Sequence, residues 1–242
     1  MARLPGHQAP RRRHRLAAVS APAADPGTDP ATNQVGGRTL VLLRHGRTAW
    51  NHEGRVQGQL DVSLDDHGRD QAARVGPVVA ALAPSLVWCS DLARTRETVA
   101  PLAAATGLPV TYDKRLREFY FGEYEGWSHA EFEARDAVAF QALRRGDYDH
   151  VPAAEPTAAV RERMVEVLGE LLAALGPGQT GVAVSHGAAI RVATVALLGW
   201  PDALTHTLRG VDNCGRVELV ETSEGTGPGG PALRLQAYNR TV

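Results

Sequence analysis

The chain has 242 residues, with 26 Lys and Arg against 27 Asp and Glu, a formal net charge of −1 and a pI near 6.8. No global field draws it to nucleic acid or to an anionic membrane, so any anion it recognises must be bound locally. Two widely separated cysteines, Cys89 and Cys214, give no disulfide framework and no metal-ligand spacing, which points to a reducing cytoplasm. No apolar run approaches the roughly 20 residues of a transmembrane helix.

Residues 1–37 are rich in Pro, Ala, Gly and Arg and are expected to form a disordered tail. Their basic cluster, Arg11-Arg12-Arg13-His14-Arg15, precedes only Leu16-Ala17-Ala18-Val19 before Ser20, Ala21 and Pro22, too short an apolar stretch for an export signal. Residues 38–242 are enough for one domain with a substantial core.

Leu40-Val41-Leu42-Leu43 reads as a buried strand broken at once by Arg44-His45-Gly46. Gly54 to Asp61 is a polar, glycine-punctuated loop, after which Asp65 or Asp66 can cap a helix running to about Ala83. Leu86 to Cys89 is a short strand. Ser90 is a natural N-cap for a helix through about Ala105, which puts Arg94 in its first turn. A cation there opposes the helix dipole, so stability alone would not select it and an anion nearby would. A third short strand ends near Tyr112. Only 5% of the chain is aromatic, yet Phe119-Tyr120-Phe121-Gly122-Glu123-Tyr124-Glu125-Gly126-Trp127 concentrates that class, as a core plug, a pocket wall or both. Residues 119–156, with a polar helical stretch from 129 to 145, read as a cap-like insertion over the strand ends. Thr157 is expected to cap an amphipathic helix to about Leu175. Gly181-Val182-Ala183-Val184-Ser185-His186-Gly187 then repeats the opening pattern, an apolar strand ending in His-Gly. Gly215 to Val220 and Ala232 to Tyr238 read as strands joined by a glycine-rich loop at 225–230, so part of the sheet should be antiparallel.

Arg44, His45, Arg94, Glu118 and His186 therefore each follow a strand or open the turn after one. Two planar guanidinium forks suit a phosphoryl group. One neutral histidine could attack phosphorus, a protonated one could add positive charge, and a carboxyl could protonate the leaving alkoxide. None of this needs a metal or a cofactor, and the histidine and carboxylate spacings lack zinc-site patterns.

With these residues in view the chain resembles the histidine phosphatase superfamily, also called the phosphoglycerate mutase-like family. The matching stretches are Arg44-His45-Gly46 with Thr48, Trp50 and Asn51; Gly58-Gln59-Leu60-Asp61-Val62-Ser63-Leu64; Ser90-Asp91-Leu92-Ala93-Arg94-Thr95; Leu116-Arg117-Glu118; and Ser185-His186-Gly187. Five motifs in the family's order make chance an inadequate explanation. The resemblance implies an α/β fold, a three-layer α/β/α sandwich with a mostly parallel sheet and one antiparallel edge strand. It implies His45 as nucleophile, with a backbone carbonyl holding its Nδ1–H. It also implies Glu118 as general acid and base, and Arg44, Arg94 and His186 as the phosphate-binding groups. Thr48, Asn51, Gln57, Gly58, Phe119, Tyr120 and Gly187 are the expected substrate contacts.

The residue after the acid/base Glu is an Arg in cofactor-dependent mutases, and a Lys follows further on; here those positions hold Phe119 and His129. Losing a charge-assisted bond worth roughly 1.5–3 kcal/mol weakens retention of an acidic intermediate. The pattern is similar to that of actinobacterial glucosyl-3-phosphoglycerate phosphatases, although their Gly-Gly-Glu-Ser turn is replaced by Ala153-Ala154-Glu155-Pro156. The expected activity is metal-independent phosphomonoester hydrolysis of a small phosphorylated metabolite, with a phosphoglycerate mutase as the alternative. A phosphate-binding regulatory module is the reading from another class, and intact His45 and Glu118 argue against it. The expected partner is a small-molecule phosphate ester, with neither nucleic acid nor membrane, and with room for a homodimer.

Overall fold

Leu40, Val41, Leu42 and Leu43 are all fully buried, so their strand must be covered on both faces. The computed structural model describes Ala2 and residues 36–242, so the expected N-terminal tail falls almost wholly outside the described residues. Six strands form one sheet: β1 (Thr39–Arg44), β2 (Pro84–Cys89), β3 (Val110–Tyr112), β4 (Thr180–Ser185), β5 (Arg216–Gly227) and β6 (Gly230–Arg240), in the order β3-β2-β4-β1-β5-β6. The β1–β4, β2–β4 and β2–β3 pairs are parallel, while β5 runs antiparallel to both β1 and β6. The antiparallel strand thus lies next to the edge, with β6 outside it.

Alternation along β1 separates two cores. Val41 and Leu43 pack with Val75 and Val79 of α2 (Asp66–Ala80) and with Val99 and Leu102 of α3 (Ala93–Thr106). Leu40 and Leu42 pack with Met164, Val167, Leu168 and Leu171 of α6 (Thr157–Ala173) and with Ile190 and Ala193 of α7 (Gly187–Leu197). The result is a helix–sheet–helix sandwich with β4 inserted between β1 and β2.

Local chemistry departs from the sequence expectations at several helix ends. A short α1 (Ala49–Glu53) follows β1, capped by Thr48 and Asn51 in a reciprocal capping box. Asp65 caps α2 as expected, but α3 is not capped by Ser90; Asp61 reaches in from the preceding loop and accepts the Ala93 amide at 2.6 Å. Nor does Thr157 cap α6: it is the first helical residue, and its own amide donates to Asp149 at 2.7 Å. The 129–145 stretch is two helices, α4 (His129–Arg135) and α5 (Ala137–Arg145), because Asp136 leaves helical geometry and its side chain caps α5 through the Ala139 amide. Most of the glycine-rich 225–230 stretch is strand rather than loop, since Gly227 pairs with Gly230 and leaves a two-residue turn.

In the 119–156 segment Phe119, Phe121, Tyr124, Phe132, Phe140 and Tyr148 join the α6/α7-side core. Phe119 stands 4.4 Å from Tyr148 and 5.8 Å from Phe121 between ring centroids, an aromatic cluster that closes the core beneath the strand ends. None of the described helices is long and apolar enough to cross a membrane.

Candidate active site

The last register pair of β1 and β4 is Arg44 with Ser185, so His45 and His186 leave neighbouring parallel strands side by side. Their rings are 5.2 Å apart between centroids. Ser90 leaves the third strand of this trio, its amide bonded to the Val184 carbonyl at 2.9 Å. Ligand sites in open α/β sheets lie at such carboxyl ends.

His45 is 3% exposed. Its Nδ1 lies 2.7 Å from the Gly46 carbonyl oxygen, an acceptor, so Nδ1 carries the proton and Nε2 keeps its lone pair. Its backbone carbonyl accepts from the Asn213 side chain at 3.1 Å and the Cys214 amide at 3.2 Å. Burial, with Arg94 and Arg44 nearby, holds the imidazole well below its usual 6.5, so it is neutral.

His186 is also neutral, which corrects the expectation of a protonated partner. Its Nδ1 faces the Arg94 Nε at 3.2 Å, and a guanidinium can only donate, so Nδ1 is bare and Nε2–H donates to the Ser90 hydroxyl at 2.9 Å. Burial comes first among the causes of its depressed basicity, followed by Arg94, His45 and Arg44. Ser90, expected as a helix cap, serves this ring instead.

Arg94 is fully buried. Besides His186 it donates to the Leu60 carbonyl at 2.8 Å and the Gly58 carbonyl at 2.6 Å, tying the 57–61 loop to the strand ends. Burial lowers its pKa to about 10, which leaves it charged at neutral pH. Arg44 donates to Val211 at 2.6 Å, and its buried Nε has no partner among the described residues. Gly187 allows this approach, because an added Cβ would sit 3.2 Å from that Nε. Gly58 is required twice over: its φ is +52°, and a side chain there would collide with the Glu125 carboxylate.

Glu118 is fixed by three backbone amides. Oε1 accepts from Phe119 at 3.0 Å and Ala189 at 2.9 Å, and Oε2 from Ala188 at 3.1 Å. Two of these are free amides at the N-terminus of α7, where a carboxylate is favoured by the dipole.

Arg44, His45, Asn51, Gln57, Gly58, Arg94 and Glu118 border one cavity of about 380 Å³, joined by Phe121, Tyr148, His129, Arg144 and Arg191. Not every expected contact is there. Phe119 is fully buried against Phe121 and Tyr148, and Tyr120 points out, 48% exposed. In this irregular segment Phe121, not its two predecessors, forms the wall. Thr48 is buried as the α1 cap, and it fixes Asn51 rather than bordering the cavity. His186 and Gly187 stand behind the bordering groups, through Arg94 and Arg44 respectively. Asn213, which bonds both the His45 carbonyl and Asn51 Oδ1, was missed, as were Arg191 and Tyr148. A tyrosine three residues beyond an arginine pair and an arginine five after His186 carry no local signal. They meet only through the fold, with Arg191 Nη2 2.7 Å from the Tyr148 hydroxyl.

Arg163 of α6 holds the Glu118 segment from below. It donates to the carbonyls of Arg115, Arg117 and Glu118 at 2.7, 2.6 and 3.0 Å, and pairs with Glu155, which in turn accepts the Tyr120 amide. Arg163→Met is expected to lower kcat by roughly 10–100-fold through misplacement of Glu118, with KM little changed. Steady-state kinetics on any turned-over ester checks this, and equal losses in kcat and substrate affinity would contradict a positioning role.

The two neutral imidazoles also set a stability trend. Unfolded histidines take up protons near pH 6.5, whereas these native ones do not, so unfolding binds protons and stability falls as pH drops below about 6.5. Each contributes a slope of up to about 1.4 kcal/mol per pH unit. Urea unfolding near pH 7.5 and near pH 5.5 measures it, and His186→Asn should flatten the dependence; an unaltered dependence in that variant contradicts the assignment.

One fully buried and one partly buried guanidinium, two buried imidazoles and an amide-held carboxylate meet at the ends of parallel strands, an arrangement suited to holding a phosphoryl group. The model of the histidine phosphatase superfamily (branch 1) matches residues 40–228. The glucosyl-3-phosphoglycerate phosphatase of Mycolicibacterium vanbaalenii is 36% identical over 216 residues, 85% of this chain and 96% of that one. A probable phosphoglycerate mutase of Erwinia tasmaniensis is 36% identical over 176 residues, 72% of this chain and 81% of its own. The solved structure of a mycobacterial glucosyl-3-phosphoglycerate phosphatase complexed with VO3 superposes with a TM-score of 0.76 at 34% identity, covering 84% of this chain and all of that one. The chain belongs to the histidine phosphatase superfamily. Within it, this chain is a phosphoric monoester hydrolase.

Proposed function

We propose that the enzyme hydrolyses glucosyl-3-phosphoglycerate, or a closely related small phosphorylated metabolite, through a phosphohistidine at His45. The observation that carries this reading is the state of His45: a buried, neutral ring whose Nδ1–H is held by the Gly46 carbonyl, leaving the Nε2 lone pair free beside Arg44 and Arg94. In the first step Nε2 forms a bond to phosphorus while the ester P–O bond breaks. Glu118 takes up the proton that a monoanionic ester carries into the site and passes it to the leaving alkoxide. In the second step the Glu118 carboxylate takes a proton from water, the water oxygen bonds to phosphorus, and the N–P bond breaks to release inorganic phosphate and free His45. Arg44 and Arg94 stabilise the charge on the phosphoryl oxygens, and His186, with Ser90 behind it, sets the orientation of Arg94. None of these steps uses a metal.

The substrate assignment is supported by the phosphatase relatives and by the cavity's mixed lining of cations with Phe121, Tyr148 and Leu143. A phosphoglycerate mutase is the second reading, on the strength of the relative of that description and of Arg144 at the cavity wall. A panel of phosphate esters separates them, including glucosyl-3-phosphoglycerate and 3-phosphoglycerate supplied with 2,3-bisphosphoglycerate. Free phosphate without isomerised product is expected. Interconversion of 2- and 3-phosphoglycerate would favour the mutase, and saturable phosphate binding without turnover would favour a binding module.

A further inference from the structure

The loop 211–215, just ahead of β5, holds three groups of the phosphoryl site at once. The Val211 carbonyl accepts from Arg44 Nη1 at 2.6 Å, and the Gly215 carbonyl from the Arg44 amide at 3.0 Å. The His45 carbonyl accepts from the Cys214 amide at 3.2 Å and from Asn213 Nδ2 at 3.1 Å. The same Nδ2 reaches Asn51 Oδ1 at 3.2 Å, so both of its hydrogens are used.

Two residues other than glycine take left-handed backbone to build this grip. Cys214 has φ +57°, which turns its amide onto the carbonyl that the preceding side chain already meets. Asn239 of β6 has φ +53°; its Oδ1 accepts the Asp212 amide at 2.7 Å, and its Nδ2 donates to the Asp212 carboxylate at 2.9 Å. Such backbone is sterically costly for a residue with a Cβ and persists where surrounding contacts impose it. Gly215 must be bare, because a Cβ there would stand 2.5 Å from Asn239 Oδ1. The outermost strand of the sheet thus fastens the loop that Asn213 stands on.

These contacts also fix which way the Asn51 amide faces. The Thr48 N–H, at 3.2 Å, can only donate, so the Asn51 atom it meets is the oxygen. The His45 carbonyl can only accept, so the Asn213 atom it meets is the nitrogen. Asn51 Oδ1 is therefore taken up by Thr48 and Asn213, while Asn51 Nδ2 makes no hydrogen bond among the described residues. Asn51 borders the phosphoryl cavity with Arg44, His45 and Arg94, and Asn213 does not. We propose that Asn213 is a positioning residue for phosphoryl transfer. Keyed to the nucleophile's own carbonyl, it sets the Asn51 amide so that Nδ2 donates to an oxygen of the phosphoryl group that His45 attacks. Without Asn213 the Asn51 amide is free to rotate, and a rotated amide turns its oxygen toward the anion. This rests on the phosphoryl group lying beside His45, as proposed above, and deepens that reading.

Calorimetric titration with inorganic phosphate tests this on the parent, Asn51→Ala, Asn213→Ala and the double variant. Each single substitution should weaken binding about tenfold, the loss expected for one hydrogen bond to an anion. The double variant should bind within about threefold of the singles, because Asn213 acts through Asn51, whereas independent effects would multiply to about a hundredfold. Asn213→Leu, close in volume and without a donor, should match Asn213→Ala and replaces it if the smaller side chain disturbs the loop. Urea midpoints measured alongside separate out stability: a purely structural role lowers the midpoint and leaves phosphate affinity unchanged. Affinity within about twofold of the parent in both Asn213 variants, or losses that multiply in the double variant, would overturn the proposal. Arg44→Ala distinguishes that failure from a wider one. If it loses phosphate while the Asn213 variants do not, only the positioning role falls. If it too binds phosphate like the parent, the phosphoryl group does not lie beside His45, and the mechanism proposed above falls with the positioning role.

Discussion

His45→Ala is expected to reduce kcat by at least about 10⁴-fold, as loss of a covalent nucleophile does in other hydrolases. No neighbouring group can replace it. His186 is turned away, with one ring nitrogen against Arg94 and the other against Ser90, and both cysteines are buried in the α2/α3-side core with their thiols pushed up to about 12. The fold should survive. The β1 ladder is anchored by Leu40–Leu43 and by pairing on both sides, and the deleted ring leaves only a small cavity costing about 1–3 kcal/mol. Inorganic phosphate should still bind, because Arg44 and Arg94 remain. Single-turnover kinetics with circular dichroism and phosphate titration make the check. Activity within tenfold of the parent would remove His45 from the mechanism.

Arg94→Lys is the second large effect, expected at about 10²–10³-fold in kcat/KM. The substitution keeps the charge, yet one ammonium cannot replace a planar fork that meets the Gly58 carbonyl, the Leu60 carbonyl and His186 Nδ1 together. Left without its donor, each carbonyl loses a buried hydrogen bond, and the 57–61 loop keeps only the Asp61–Ala93 bond to α3. The readout that separates this from simple charge loss is amide hydrogen exchange. Protection should fall at residues 57–61 and remain at β1 and β4. Near-normal kcat/KM in Arg94→Lys would mean that charge alone matters there.

What the sequence disclosed, and what it withheld, follows from the range of the interactions. The paired strand-His-Gly elements were legible because each is local: an apolar run, then a breaking turn. Arg94 was legible because its placement in the first helical turn violates a local preference. The three-layer sandwich was implied by the family resemblance, while the order of strand and helix signals gave only an α/β sheet that is antiparallel in part. Ser90 was misassigned because a serine before a helix has a strong local role. Only the fold brings Asp61 to cap α3 and frees Ser90 for His186. The aromatic run could not be oriented residue by residue, since an irregular segment has no period to tell Phe119 in the core from Phe121 in the cavity wall. Asn213, Arg191 and Arg163 contribute through contacts between residues far apart in sequence, and nothing next to them announces a partner.

The phosphohistidine is the centre of the account, and rapid-quench labelling tests it directly. Enzyme mixed with an ester carrying a radiolabelled phosphoryl group should, within the first turnover, hold acid-labile, base-stable label on His45, and the label should be lost as inorganic phosphate appears. The same experiment with His45→Ala should yield none. Turnover of the ester by the parent enzyme with no label at His45 at any time would contradict covalent catalysis and leave direct attack by water as the mechanism.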